Sequence, residues 1–572
     1  MGRASYAPTH SKDTSSDSDT DSLSSTDSED NASPTPTPRP RTTSRPSLLW
    51  LMLAIPIVLA AGAGVVLATR SNNNSSDSTT ATKEASSSLG PVDTSHRATS
   101  SGFALVTSAS KTNPTSGKAA GTSSSSTAKA SGSSTSSASA TAASGTRKVF
   151  AHVLQGLSQD STADEWASDI ALAKAAGIDG AMNVGHDDTD SDQMALVFKT
   201  TAEAGDFVLF FSFDCNHFNT EGSSDIILSD YLVPYALNDV YYKVDGASFV
   251  STFAGDNAAT YLDGNSDITA TWSALISSAE SQSPSIPIYF VPCPLGDSDT
   301  ILDIYDGVMR WFAWPLDDSA PSVDTDVAFV KATRAKNQTY MAPIGAFFFA
   351  HYNADTNYIF KSDDWLLPTH YQQVIEMDTQ PDWIELLTWN DYSESHYLGP
   401  LHDTSILPGT NSLYVNSTFD HTPMLTLSSY YNRWYKTGSP PSIATETVIW
   451  WYRPHPTAAT ASSDTLDRPS DVEWLEDSLY AAVLIPEGSP ASSLVFTTGG
   501  KAQESQSVSA GVNLLKVAFS AGSQSIALLD GSGNSVLLGD GWAITDSPET
   551  YNYNYWCGIL PADASPSTML SS

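Results

Sequence analysis

From residue 148 to about 440 the chain repeats one texture: a short apolar run, a polar turn, then a stretch with helical spacing. Eight apolar runs stand out, at 149–154, 180–184, 207–213, 248–253, 288–292, 308–314, 340–346 and 383–388. Runs of this length with no polar alternation read as buried strands. Between the first two, 164–176 carries Trp166, Ile170 and Ala173 on one face and ends at Gly177, which reads as a helix with a glycine stop. A second helix runs through Met194, Val197, Phe198 and Ala202 to Gly205. Eight strands alternating with helices predict the α/β class and a (β/α)8 TIM-like barrel over 148–440. A doubly wound sheet is the rival, but the phosphate-binding glycine fingerprint after the first strand is missing.

In such a barrel, catalytic groups stand at the C-terminal ends of the strands. Polar residues collect there: His186 and Asp187 after the second strand, Asp214 and Asn216 after the third, Asp256 after the fourth, His351 after the seventh. After the eighth comes Trp389-Asn390-Asp391-Tyr392-Ser393-Glu394. Two carboxylates three residues apart, beside an indole, an amide and a phenol, suit acid–base work on a sugar. The plainer alternative is an Asx-type turn closing a strand. Trp314, Tyr352 and Trp389 offer flat faces for sugar rings, whereas Trp311 fits core packing better.

Beyond 441 the helical patterns stop. Runs at 447–452, 479–484, 493–496, 514–519 and 525–529, separated by Gly, Ser and Pro, predict a small antiparallel sandwich over 441–572. Ahead of the barrel, 1–46 is a Ser/Thr/Asp/Pro tail that cannot bury enough apolar surface to fold. Residues 47–69 hold about 20 uncharged positions, enough to span a bilayer. Arg39, Arg41 and Arg45 precede the span and Arg70 stands alone after it, so the positive-inside bias predicts a cytoplasmic N-terminus and a catalytic part outside the cytosol. A cleaved signal peptide fits less well, because the leader is long and polar. Residues 70–147 form a Ser/Thr-rich stalk. The formal net charge of −37 argues against nucleic acid as a partner. Cys215, Cys293 and Cys557 make no metal-ligand pattern; one disulfide plus one free thiol is open, with no pairing assignable.

Val149-Phe150-Ala151-His152, the run 169–180, Phe211-Ser212-Phe213-Asp214 and the 389–394 stretch together resemble glycoside hydrolase family 71, the fungal α-1,3-glucanases or mutanases. The resemblance spans about 148–560. It implies hydrolysis of α-1,3-glucan with inversion, no metal or other cofactor, a C-terminal β-sandwich, and a catalytic pair at Asp391 and Glu394. It leaves open which carboxylate is the acid. The remaining candidates for substrate contact are His186, Asp187, Asp214, Asn216, Asp256, Trp314, His351, Tyr352, Trp389, Asn390 and Tyr392. Two other readings stand beside it: a catalytically inactive glucan-binding surface protein, and a hydrolase of another wall polysaccharide such as chitin.

Overall fold

The computed structural model describes residues 147–183, 190–402, 407 and 410–571. The N-terminal tail, the apolar span at 47–69 and nearly all of the stalk lie outside the described residues, as do His186 and Asp187. Among the described residues no helix is long and apolar enough to cross a membrane.

Eight parallel strands form one curled sheet of the TIM-like kind. They are β1 Lys148–Val153, β2 Gly180–Asn183, β3 Val208–Asp214, β4 Ala247–Phe253, β5 Ile288–Val291, β6 Gly307–Met309, β7 Thr339–Gly345 and β8 Trp383–Leu387. The pairing runs β5-β4-β3-β2-β1-β8-β7-β6, so neighbours in sequence are neighbours in space and β1 sits against β8. At the two ends of this order, Asp306 N donates to Phe290 O at 2.8 Å and Met309 N to Pro292 O at 2.9 Å. The strands were legible because a parallel sheet covered on both faces selects continuous apolar runs. Inside the curl, Phe150, Phe210, Phe249 and Trp383 pack edge to face, with Phe150 and Phe210 centroids 4.9 Å apart.

The helices are α1 Ala163–Ala175, α2 Asp190–Ala204, α3 Ile268–Glu280, α4 Asp324–Ala335, α5 Leu366–Ile375 and α6 Thr422–Thr437, with shorter helical turns between β3 and β4. Helix α1 starts on a capping box: Glu165 N donates to Thr162 Oγ1 at 3.3 Å, and Thr162 N to Glu165 Oε2 at 2.8 Å. It buries Trp166, Ile170 and Ala173, the face its spacing predicted.

One strand differs from expectation. The sixth was expected over 308–314, but only Gly307–Met309 pairs. Arg310 turns out to Asp326 on α4, 3.8 Å away, and Trp311 packs on Phe253 and His152 at the strand tops. The apolar stretch that continues the run is therefore a loop over the sheet's end.

The C-terminal part has two antiparallel sheets. The first joins β9 Thr447–Tyr452, β10 Ser478–Ile485, β12 Gly511–Ala518 and β15 Trp556–Leu560; the second is built on β11 Ala491–Thr498, β13 Gln524–Asp530 and β14 Ser535–Asp540. Val448, Trp450, Leu479 and Val483 of the first share an apolar core with Leu494, Phe496, Ile526 and Leu528 of the second. Strands β14 and β15 had not been expected. The sheets are tied to the parallel-strand part through Arg453, whose guanidinium meets Asp363 at 2.9 Å with both side chains buried. Tyr480 and Tyr555 hydroxyls also donate to Asp363.

All three cysteines are free and buried, so the disulfide is absent. Cys557 lies on β15, while Cys215 and Cys293 follow β3 and β5.

Candidate active site

The chain leaves β8 at Leu387 and comes back on itself within a dozen residues. Thr388 N donates to His396 O at 2.9 Å, Leu398 N to Thr388 O at 2.9 Å, and Gly399 N to Trp389 O at 2.8 Å. Gly399 is required there: a Cβ would stand 2.6 Å from the Trp389 ring. Inside this loop two side chains replace backbone partners. Asp391 N donates to Thr388 Oγ1 at 2.8 Å, and Glu394 N to Asp391 Oδ1 at 3.2 Å. The Asx-type turn is therefore real, and it is also what aims both carboxylates the same way.

They converge on a histidine that the sequence reading passed over. His396 Nε2 lies 3.0 Å from Glu394 Oε2 and 3.3 Å from Asp391 Oδ2. All three residues are buried, and one donor atom of each lies within 4.8 Å of the others. Three such donors are also close enough for one cation to span them. The imidazole stacks on Phe348, 5.4 Å between centroids and 13° between planes, and meets Trp314 edgewise at 5.0 Å. Its Nδ1 is buried with no hydrogen-bond partner, so its interactions with the acids run through Nε2. Burial alone would lower the His396 pKa; the two carboxylates outweigh it and hold it up at about 9. Burial and the charge of Asp391 raise Glu394, against the pull of His396. His396 sits two residues beyond Glu394, so extending the motif by two positions would have found it.

The other expected residues divide. Tyr352 stands near the pair: burial, then the charges of Glu394 and Asp391, push its phenol up. Trp314 is shared between His396 and a hollow that Arg310, Leu316 and His370 also line. Three neighbours of the pair are committed to holding the loop. Trp389 is buried, and its Nε1 donates to Asp169 on α1 at 2.8 Å, so it offers no open face. Asn390 accepts from Leu154 N at 2.8 Å and donates to Leu154 O at 3.0 Å, tying the loop to the end of β1. Tyr392 donates to Pro400 O at 2.9 Å from within the packing.

His351 is buried too, with Nδ1 at 2.6 Å from Asn357 Oδ1 and Nε2 at 3.1 Å from Asp464 Oδ2 in the C-terminal part. It joins the two parts of the protein instead of facing a cleft. Asp214 accepts from both nitrogens of Asn216, at 2.9 and 2.8 Å, and forms its own turn after β3. Asp256 accepts from Gly296 N at 2.8 Å and links the loops after β4 and β5.

The sequence model of the family described as Glycosyl hydrolase family 71 matches residues 145–569. The chain is 33% identical over 421 residues to a glucan endo-1,3-alpha-glucosidase of Schizosaccharomyces pombe, covering 72% of this chain and 95% of that protein. It is 31% identical over 427 residues to a mutanase of Penicillium rubens, covering 73% and 89%. It is 28% identical over 385 residues to an ascus wall endo-1,3-alpha-glucanase of Schizosaccharomyces pombe, covering 65% and 86%. With three quarters of its length matched by one family and relatives aligned almost end to end, this chain belongs to glycosyl hydrolase family 71.

Proposed function

We propose that this glycosyl hydrolase cleaves α-1,3-glucan, with Glu394 as general acid and Asp391 as general base. Family membership and the relatives' substrates support the polymer. The observation that carries the chemistry is the buried carboxylate pair joined through one imidazole. In the reaction, the bond from C1 to the O3 of the next glucose breaks as Glu394 gives that oxygen its proton. Water forms the new bond to C1 and loses a proton to Asp391. Glu394 is the acid because burial and its neighbour favour its protonated form.

Inversion, which the family resemblance implies, sets a spatial demand. Inverting pairs stand roughly 6.5–9.5 Å apart to admit a water, and retaining pairs about 5–5.5 Å. Here the nearest oxygens lie within 4.8 Å. On the inverting reading the arriving sugar turns the carboxylates apart and frees one of them from His396. Proton NMR of the first product checks this: the β-anomer is expected, and initial α-anomer would mean that the pair works at the spacing seen. Substrate choice is tested by incubating the purified chain with insoluble α-1,3-glucan, β-1,3-glucan and chitin and measuring reducing ends. Release from α-1,3-glucan alone is expected. Equal release from all three would end the claim, and binding without release would favour an inactive glucan-binding protein.

The fold is read here as a complete (β/α)8 barrel with a C-terminal sandwich. Two hydrogen bonds at the flanks of β5 and β6, Asp306 N to Phe290 O and Met309 N to Pro292 O, and the shared apolar core of the antiparallel sheets support that reading. The span at 47–69 is read as a signal anchor with the enzyme outside the cytosol, on the arginine asymmetry alone.

A further inference from the structure

We infer that His152 is a substrate-contacting residue of this site, a neutral imidazole that donates a hydrogen bond from Nε2 to a sugar oxygen and is held in that tautomer by buried Glu385. The inference rests on the hydrolysis reading above. His152 ends the Val149-Phe150-Ala151-His152 motif, to which the acid pair gives no role. It stands near the C-terminal end of β1, and its carbonyl accepts from Trp389 N at 2.7 Å, at the root of the catalytic loop. Its ring meets Trp311 edgewise at 4.9 Å, and Trp311 meets His396 at 6.3 Å. One indole therefore touches both imidazoles.

The tautomer follows from Glu385. His152 Nδ1 lies 3.0 Å from Glu385 Oε1, and Glu385 is fully buried on β8. Its other oxygen, Oε2, is buried with no hydrogen-bond partner. An ionised carboxylate with an orphaned oxygen in such a place is costly, so the carboxyl keeps its proton and donates it to Nδ1. Burial acts the same way on both, pushing Glu385 well above the usual carboxylate range and His152 down to about 3, although Asp391 pulls the histidine upward. With Nδ1 accepting, the imidazole hydrogen is on Nε2. Glu385 pairs in register with Phe150, two residues before His152, so it lies deeper in the barrel. The Nε2 edge, away from Glu385, therefore points toward the strand tops. A neutral N–H there suits a hydroxyl or ring oxygen of the sugar, and it does not compete with Glu394 for the transferred proton.

The test measures kcat and KM of the full chain on a soluble α-1,3-linked oligosaccharide. His152→Ala should lower kcat/KM by ~10²-fold, in the range lost with one aimed donor, mainly in kcat. His152→Asn, which keeps an N–H nearby, should recover at least ~10-fold of that. Glu385→Leu should reproduce the His152→Ala loss although it touches no substrate, and the double variant should be no worse than His152→Ala alone. Glu385→Gln, whose amide can donate to Nδ1, should stay within ~3-fold of wild type and decides the matter if the leucine variant does not fold. The inference is overturned if His152→Ala keeps more than about a third of the rate, if the two losses multiply, or if Glu385→Gln loses more than ~10-fold. A wild type that releases nothing from α-1,3-glucan would instead sink the hydrolysis reading itself.

Discussion

Replacing His396 by phenylalanine removes the one N–H that Glu394 and Asp391 share while keeping a ring to stack on Phe348. In the native protein the folded pKa of this histidine, about 9, lies above its ordinary 6.5. Its stabilising contribution is therefore complete below pH 6.5 and is lost as pH rises through about 9. Two and a half pH units at 1.36 kcal/mol each make that contribution about 3 kcal/mol. In the variant, two carboxylates with oxygens within 4.8 Å face each other with no cation between them. At an effective dielectric constant of about 20 their repulsion when both are ionised is roughly 3.5 kcal/mol. The variant escapes this at low pH, where a carboxylate takes up a proton. The stability gap between wild type and variant should thus be widest near pH 7 and narrower at pH 5 and at pH 10. Thermal unfolding of both proteins across that range reads it directly, and turnover of the variant should fall at least ~10-fold because both acids lose their orientation. A gap that is flat with pH, or a variant with native turnover, would refute the reasoning.

Asp391→Asn and Glu394→Gln should each cost ~10²–10⁴ in kcat with the fold kept intact, and either one keeping more than about a tenth of the native rate would remove that residue from the chemistry. Excess EDTA should leave the rate of the full chain unchanged; a loss restored by a divalent cation would mean that Asp391, Glu394 and His396 hold a metal and not a proton relay. Protease added to intact spheroplasts should destroy a C-terminal tag and spare an N-terminal one; the reverse would overturn the arginine-based orientation.

What the sequence made legible was what is encoded locally. A strand covered on both faces is an uninterrupted apolar run, and all eight parallel strands were found on that signal. The same signal overran β6, because Trp311 to Trp314 are apolar for another reason: they wall the site around His396. Strands β14 and β15 were missed because a glycine breaks each short apolar run, Gly539 in β14 and Gly558 in β15. Leu538 on β14 is exposed, and Gly558 on β15 is there to let the Trp450 indole approach, a Cβ standing 2.6 Å from its Nε1.

Within the site, the Asp391–Glu394 pair was visible because three residues of loop hold it. Its neighbours were given to the substrate because their residue types suit sugars, yet residue type does not say which way a side chain points. Trp389 is committed to Asp169, 220 residues earlier in the chain, and His351 to Asp464, 113 residues later. The reverse error concerns Glu385. Inside an apolar strand it looks like a tolerated exception, and its partner His152 is 233 residues away. A carboxyl fully buried in a sheet is expensive unless something uses its proton. Of the two acids in these eight strands, Asp214 ends β3 in a turn of its own, so Glu385 is the one whose position needs a function to explain it.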